Sequence, residues 1–132
     1  MKMQVVAANT LNSWLVAEPL LSPALEHEDR YGIKDLCVMF IQGTAQLLLA
    51  FDEDDRVVGA MMVSVARFPL TTKLDILAFG AAEGQKGAWM ALWPDLQKYA
   101  RSFGCRSIIG GGRPGWARKL GAIETISWEA PL

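Results

Sequence analysis

One short stretch of this sequence, rich in glycine, has residue types that could bind phosphate. The stretch SIIGGGRPGWARKLGAIE, residues 107–124, combines glycines and a proline with basic side chains, and it could hold a phosphate, contact nucleic acid or join a strand to a short helix. Open backbone and positive charge at the start of a helix favour anions. However, the Walker spacing is absent, and the glycines of this stretch do not open a long helix as the dinucleotide pattern requires.

Other kinds of site receive less support from the residue types present. Cys37 and Cys105 lack metal-ligand spacing and are expected to be buried thiols, so no metal is predicted. The single histidine, His27, lies among acidic residues in ALEHEDRYG and cannot be combined with a distant cysteine or serine into a nucleophilic set. This acidic segment is expected to be a solvated helix face, and the alternative is a patch that receives an amine.

Composition restricts the class of protein. The 132 residues suit one domain, 1–132, and 52% of them are hydrophobic, which is typical of a compact core. Basic and acidic residues number 13 and 14, so the positive surface that nucleic acid requires is not expected. No apolar run resembles a secretion signal or reaches the ~20 residues of a membrane span. The sequence therefore predicts a soluble, cytoplasmic protein.

The first third of the chain is predicted to be a strand followed by helices. Met3–Ala7 is expected to be a strand, and a helix is expected to begin after Asn9 or Thr10 and to end at Pro19. Ser22, followed by a proline, predicts the start of a second, short and acidic helix. The apolar stretch IKDLCVMFIQG is favoured as a helix stopped by its last glycine, and a strand is the alternative.

The middle of the chain is predicted to be an antiparallel meander. In AQLLLAFDEDDRVVGAMMVSVARFP, two apolar runs are separated by four acidic residues, which is typical of two strands and a polar turn. Gly59 is expected to mark a bulge or a close approach of another group. A third strand, KLDILAFGA, completes the meander.

The last third is predicted to alternate helix and strand. Apolar residues recur at three- and four-residue steps from Trp89 to Phe103, which predicts the strongest helix, closed by Gly104. Pro94 requires either a kinked first turn or a start near residue 91. A buried strand (CRSIIG), a short helix (PGWARKLG) and a final strand (AIETISWEA) follow.

The order of elements, the acidic turn of the meander, the loop AAEGQKGAW and the ending YARSFGCRSIIGGGRPGWARKLGAIE together resemble the GNAT superfamily of N-acetyltransferases. Leu120, Gly121 and Ala122 stand where that family has a Leu-Gly turn into its last strands. ALEHEDRYGIKDL, the Arg67-Phe68-Pro69 turn and GRPGWAR are similar to compact GNAT-like proteins of tailed phages and prophages. The resemblance implies an α+β (mixed α/β) fold, with a mostly antiparallel twisted sheet flanked by helices.

The resemblance also implies a chemistry and a set of residues. Acetyl-coenzyme A (acetyl-CoA) would bind with its pyrophosphate at the start of the long helix, on residues of the third strand and the following loop: Phe79, Gln85, Lys86, Gly87 and Ala88. Asp75 would take the proton of the amine, with Tyr99 or water as the acid. The sequence departs from the family pattern at three positions, which are Gly84 in place of a basic residue, Trp89 in place of a small one, and Ala117 in place of the usual tyrosine.

Two functions remain open from the sequence. The first is acyl-CoA-dependent acetyl transfer to a small-molecule or protein amine, by a monomer or a homo-oligomer. The second is a non-catalytic GNAT-like phage protein, located in the virion or at a host protein, that uses exposed tryptophans and arginines. For this second function, five tryptophans in so short a chain favour an interaction surface, and the residues concerned would be Trp116, Trp128, Arg113 and Arg118.

Overall fold

The computed structural model describes residues 1–8, 10–26, 28, 30–111, 120–121 and 130–131. It contains a mixed sheet of five strands, which are β1 (Lys2–Val6), β2 (Gln46–Phe51), β3 (Val57–Arg67), β4 (Thr72–Ala81) and β5 (Ser107–Gly110). The strands lie in the order β1-β2-β3-β4-β5. The first four strands pair antiparallel, so the predicted meander is confirmed, and β5 pairs parallel with β4.

Helices cover both faces of this sheet, as the predicted α+β class requires. The helices are α1 (Leu11–Leu21), α2 (Ile33–Gln42), α3 (Ala88–Ala91) and α4 (Trp93–Ser102), with a 3-10 turn at Ser22–Leu25. On one face, α1 and α2 pack on a core cluster in which Trp14 stacks on Phe40 at 5.7 Å between ring centroids. On the other face, α3 and α4 pack on a second cluster around Trp89 and Leu96.

Two glycines of the meander allow close packing at its end. Gly59 lies beside the indole of Trp89, whose Nε1 would be 3.0 Å from a Cβ at that position, so the predicted close approach is confirmed. At Gly80, a Cβ would fall inside van der Waals contact with the backbone of Leu20 in α1 and lie 3.0 Å from its carbonyl carbon. Because that neighbour is backbone, Gly80 fixes how closely α1 approaches β4.

The structure corrects two predictions about the N-terminal helices. Pro19 does not end α1, which continues to Leu21. A proline removes one donor, but Pro19 is exposed, so water can satisfy the carbonyl that this donor would have paired with. Ser22 does not cap a separate acidic helix: its hydroxyl donates to the carbonyl of Glu18 at 2.9 Å, and the chain continues directly into the 3-10 turn.

Pro94 divides the predicted long helix into two. α3 ends at Ala91, and α4 begins at Trp93 with the proline in its first turn, where a missing amide hydrogen costs little. Gly104 has a φ of 75°, as expected of a glycine that ends a helix. For the apolar stretch before β2, the favoured helix is confirmed as α2, which ends at Gly43 with a φ of 75°.

No helix in the described part of the chain combines the length and the apolar character needed to cross a membrane.

Several sequence predictions fall outside the described residues. The predicted short helix and final strand cannot be placed, and the same holds for these individual residues: Asn9, His27, Asp29, Arg113, Trp116, Ala117, Arg118, Ala122 and Trp128.

Candidate functional site

At one edge of the sheet, β4 extends beyond β5. Among the described residues the two strands pair from Lys73↔Ser107 to Ile76↔Gly110, and we call the part of β4 after this pairing its open edge. A bulge in the β3–β4 register, between Met62 and Val63, lies at the same level, where β4 leaves β5. Strand backbone at the edge of a sheet can offer donors and acceptors to an extended ligand.

This open edge leads directly into the loop between β4 and α3. The loop folds by two short turns, in which the amide of Gln85 donates to Ala82 O at 2.9 Å and that of Ala88 donates to Gln85 O at 3.0 Å. At Gly84, which has a φ of 77°, and at Gly87, an added Cβ would find no described atom within 4 Å. The loop is therefore open on its outer side.

Four backbone amides at this loop have no acceptor of their own among the described residues. In the described part of the chain, no group accepts a hydrogen bond from the amides of Lys86, Gly87, Trp89 or Met90. Unpaired amides at the start of a helix carry partial positive charge, and the exposed side chain of Lys86 adds a full one. This arrangement fits the oxygen atoms of a phosphate group.

The indole of Trp89 lies in the core beneath the loop. It is 2% exposed and packs within the cluster formed by α3, α4 and the sheet. Its Nε1 donates to Gly80 O at 3.2 Å, at the end of β4. Trp89 therefore occupies a position where the GNAT pattern has a small residue without filling the space outside Gly84 and Gly87.

Asp75 lies on the opposite face of the sheet from this core cluster. Its neighbours Leu74 and Ile76 pack toward α3 and α4, and because side chains alternate along a strand, the carboxylate faces the side of α1 and α2. It is half-buried, and among the described residues it forms no ion pair. Burial raises the pKa of this carboxyl, and the charge of Arg30 partly opposes the rise.

Arg30 is held in place near this carboxylate by its own loop. Its Nε and Nη2 donate to the two carboxylate oxygens of Glu28, each at 2.9 Å, and its guanidinium lies 5.3 Å from the ring centroid of Tyr31. Such a two-point contact orients a guanidinium well. The sequence analysis did not identify Arg30, because no pattern in the loop indicates which strand it approaches.

The structure separates the two residues predicted to handle protons. Tyr99 and Phe79 both pack against the cluster on the side of α3 and α4, whereas Asp75 lies on the other face. The hydroxyl of Tyr99 is buried and has no hydrogen-bond partner in the described part of the chain. Burial raises its pKa, as does the nearby Cys105.

Comparison with known proteins identifies the fold. No protein-family model and no curated protein matches the sequence. Among solved structures, a probable acetyltransferase has a TM-score of 0.75 at 16% identity, covering 100% of this chain and 98% of its own. An aminoglycoside acetyltransferase from an uncultured soil metagenomic sample, solved with sisomicin, has a TM-score of 0.71 at 13% identity, with 99% and 95% covered.

A third solved structure is also similar to this chain. A GNAT family acetyltransferase of Staphylococcus aureus has a TM-score of 0.68 at 17% identity, with 99% of this chain and 98% of its own covered. Identities this low establish the fold and leave the activity to be argued from the site. The described part of the chain has the GNAT acetyltransferase fold.

Proposed function

We propose that this protein is an acyl-CoA-dependent N-acyltransferase that moves an acetyl group from acetyl-CoA to an amine. The observation that carries the proposal is the continuity of two features on this fold. β4 extends beyond the last pair that it forms with β5, and it leads into a loop whose Lys86 and amides without a described acceptor suit an anion. Coenzyme A has matching parts, an extended arm with two amide groups and a pyrophosphate.

The loop supplies the anion site in this proposal. The pyrophosphate lies against the segment Gln85, Lys86, Gly87 and Ala88, and the amides of Lys86 and Gly87 donate to its oxygens. Lys86 neutralises part of the negative charge, and the glycine allows close approach because it has no Cβ. Gln85, which is half-buried, fixes the loop through its turn contacts with Ala82 and Ala88.

The open edge of β4 guides the acyl arm to the reacting centre. From Ala81 back to Ile76 the strand covers roughly 16 Å at ~3.3 Å per residue, which suits an extended chain with amide groups. Phe79 lies in the middle of this stretch and supplies an apolar surface for the arm. The thioester then arrives beside Ile76, next to Asp75 in the strand.

Asp75 takes the proton of the amine in this proposal. As the amine attacks the thioester carbonyl, its proton passes to the carboxylate of Asp75, directly or through a water. The C–S bond breaks, and the departing thiolate takes a proton from water. Tyr99 is the less suitable acid, because its hydroxyl is buried on the other face of the sheet and burial raises its pKa.

The acceptor proposed is a small-molecule amine. Asp75 forms no ion pair among the described residues, and the guanidinium of Arg30 is paired with Glu28. A small-molecule amine is also the acceptor type suggested by the aminoglycoside acetyltransferase solved with sisomicin. A panel of small polyamines and amino sugars is the first set of acceptors to assay.

Binding of acetyl-CoA tests the proposal through thermal unfolding. A ligand present at 100 times its dissociation constant stabilises the folded state by about 2.7 kcal/mol, so a clear rise in Tm is expected. Pantetheine, which lacks the pyrophosphate, is expected to have a much smaller effect at equal concentration. A chain whose Tm is unchanged by millimolar acetyl-CoA would contradict the proposal and favour the non-catalytic alternative.

Lys86→Glu provides the matched variant for this experiment. Reversing the charge at the anion site is expected to weaken acetyl-CoA binding at least tenfold and to reduce the rise in Tm accordingly. Lys98→Glu, on the exposed surface of α4, makes the same charge change away from the loop and is expected to retain the full rise. Equal responses of the two variants would remove the loop from the binding site.

A further inference from the structure

α1 is apolar on the side that faces water as well as on the side that faces the sheet. Trp14, Ala17 and Leu21 form its buried side, yet Leu11 and Leu15 on the outer side are 57% and 63% exposed. Glu18 is the only charged residue in the helix. A helix that is hydrophobic all round is normally buried on all sides. We propose that the outer face of α1 and α2 is the interface at which two copies of this chain associate.

The apolar helix face, as we call this surface, is made of the ten exposed residues of the two helices. Half of them are aliphatic side chains of Leu, Val or Ile, and among all ten only Lys34 and Asp35 carry charge. The ten are Leu11, Asn12, Leu15, Val16, Pro19, Lys34, Asp35, Val38, Ile41 and Gln42.

The two helices touch at their inner sides. Trp14 stacks on Phe40 between α1 and α2. Leu15 and Ile41 follow these two residues directly in the chain, and both are exposed. Each helix therefore has an exposed aliphatic residue next to the contact that joins the two.

Charge favours a second copy over a membrane as the occupant. In a two-fold dimer a surface meets itself, so it must have little net charge, and here the charges of Lys34 and Asp35 cancel. Helices that lie on membranes carry many basic residues on their polar side. α1 has none, and Lys34 is the only basic residue of α2.

The area available is sufficient for a weak, specific dimer. With the exposed residues of the adjoining turns, Ser22–Ala24 and Gly43–Thr44, the surface contains fifteen exposed residues. At about 35 Å² for each interface residue, it would bury about 500 Å² on each copy and about 1,000 Å² in total, the lower size of a biological interface. A dimer that dissociates on dilution is therefore expected.

Light scattering coupled to gel filtration, over a dilution series, tests the interface. At tens of micromolar the wild-type chain is expected to have about twice its 14.5 kDa mass, and to dissociate on dilution. Leu15→Glu is expected to raise the dimer dissociation constant at least tenfold, because it places two charges at the centre of the contact. Its far-UV circular dichroism should match that of the wild type, since Leu15 is exposed.

Leu70→Glu is the matched control. Leu70 is 94% exposed at the turn between β3 and β4, away from both helices, so the same substitution there is expected to leave the dimer intact. The proposal is overturned if the wild type remains at 14.5 kDa at every concentration, or if Leu15→Glu dimerises as tightly as Leu70→Glu. A monomer that sediments with neutral lipid vesicles would also overturn it and would assign the face to a membrane. None of these outcomes depends on acetyl-CoA.

Discussion

Trp89→Ala is expected to destabilise the protein by about 3–5 kcal/mol, the range for removal of a fully buried large aromatic side chain. The indole is 2% exposed in the cluster between α3, α4 and the sheet. Its loss would leave a cavity beside Gly59, which has no side chain that could fill the space. It would also leave the carbonyl of Gly80 without its donor. Urea unfolding followed by far-UV circular dichroism measures the change.

Trp89→Phe separates the two contributions. This variant keeps most of the apolar volume but loses the Nε1 donor, so an intermediate cost is expected. Trp93→Ala removes a tryptophan that is only partly buried, and it should cost clearly less than Trp89→Ala. A loss below about 1 kcal/mol for Trp89→Ala would contradict the buried position of the indole.

Asp75→Asn is expected to reduce kcat/KM for acetyl transfer by about 10²–10⁴-fold, the usual contribution of a general base. The amide cannot take the proton of the attacking amine, although it has nearly the same shape. Stability should be unchanged or slightly higher, because burial works against the charge of this carboxylate. Steady-state kinetics and urea unfolding of the same preparation provide both numbers.

The pH dependence follows from the direction of the pKa shift. The folded-state pKa of Asp75 lies above its unfolded value, so the folded chain binds more protons between the two values. The contribution of Asp75 to stability therefore falls as the pH rises through this window, and Asp75→Asn removes that fall. In the wild type, kcat/KM should decline as the pH drops through the raised pKa. Asp95→Asn, an exposed change in α4, should leave kcat/KM unchanged. An Asp75→Asn enzyme of normal activity would exclude this residue as the base.

The elements that the sequence predicted well are those determined by local interactions. The turn between β2 and β3 forms because the carboxylate of Asp52 accepts the amide hydrogens of Asp54 and Arg56, each at 2.9 Å. α2 ends where Gly43 adopts a left-handed conformation. In both cases residues a few positions apart decide the structure, so residue types and spacing were sufficient.

The parts of the site that the sequence left undetermined depend on contacts between distant segments. β4 extends beyond β5 because the described pairing between them stops at Gly110. In the sequence, only the glycines after Ile109 indicated that β5 would end there. The separation of Asp75 from Tyr99 follows from alternation along β4 together with the face that each helix covers. The position of Arg30 near Asp75 depends on how the loop before α2 lies over the sheet.

Titration of the ¹⁵N-labelled protein with coenzyme A, followed by two-dimensional NMR, shows whether the loop before α3 binds the pyrophosphate. The largest amide shifts are expected on Lys86, Gly87, Trp89 and Met90, with smaller ones along Leu77–Ala81. Saturating coenzyme A that leaves these amides unchanged, or that shifts mainly the amides of α1 and α2, would contradict binding at this loop.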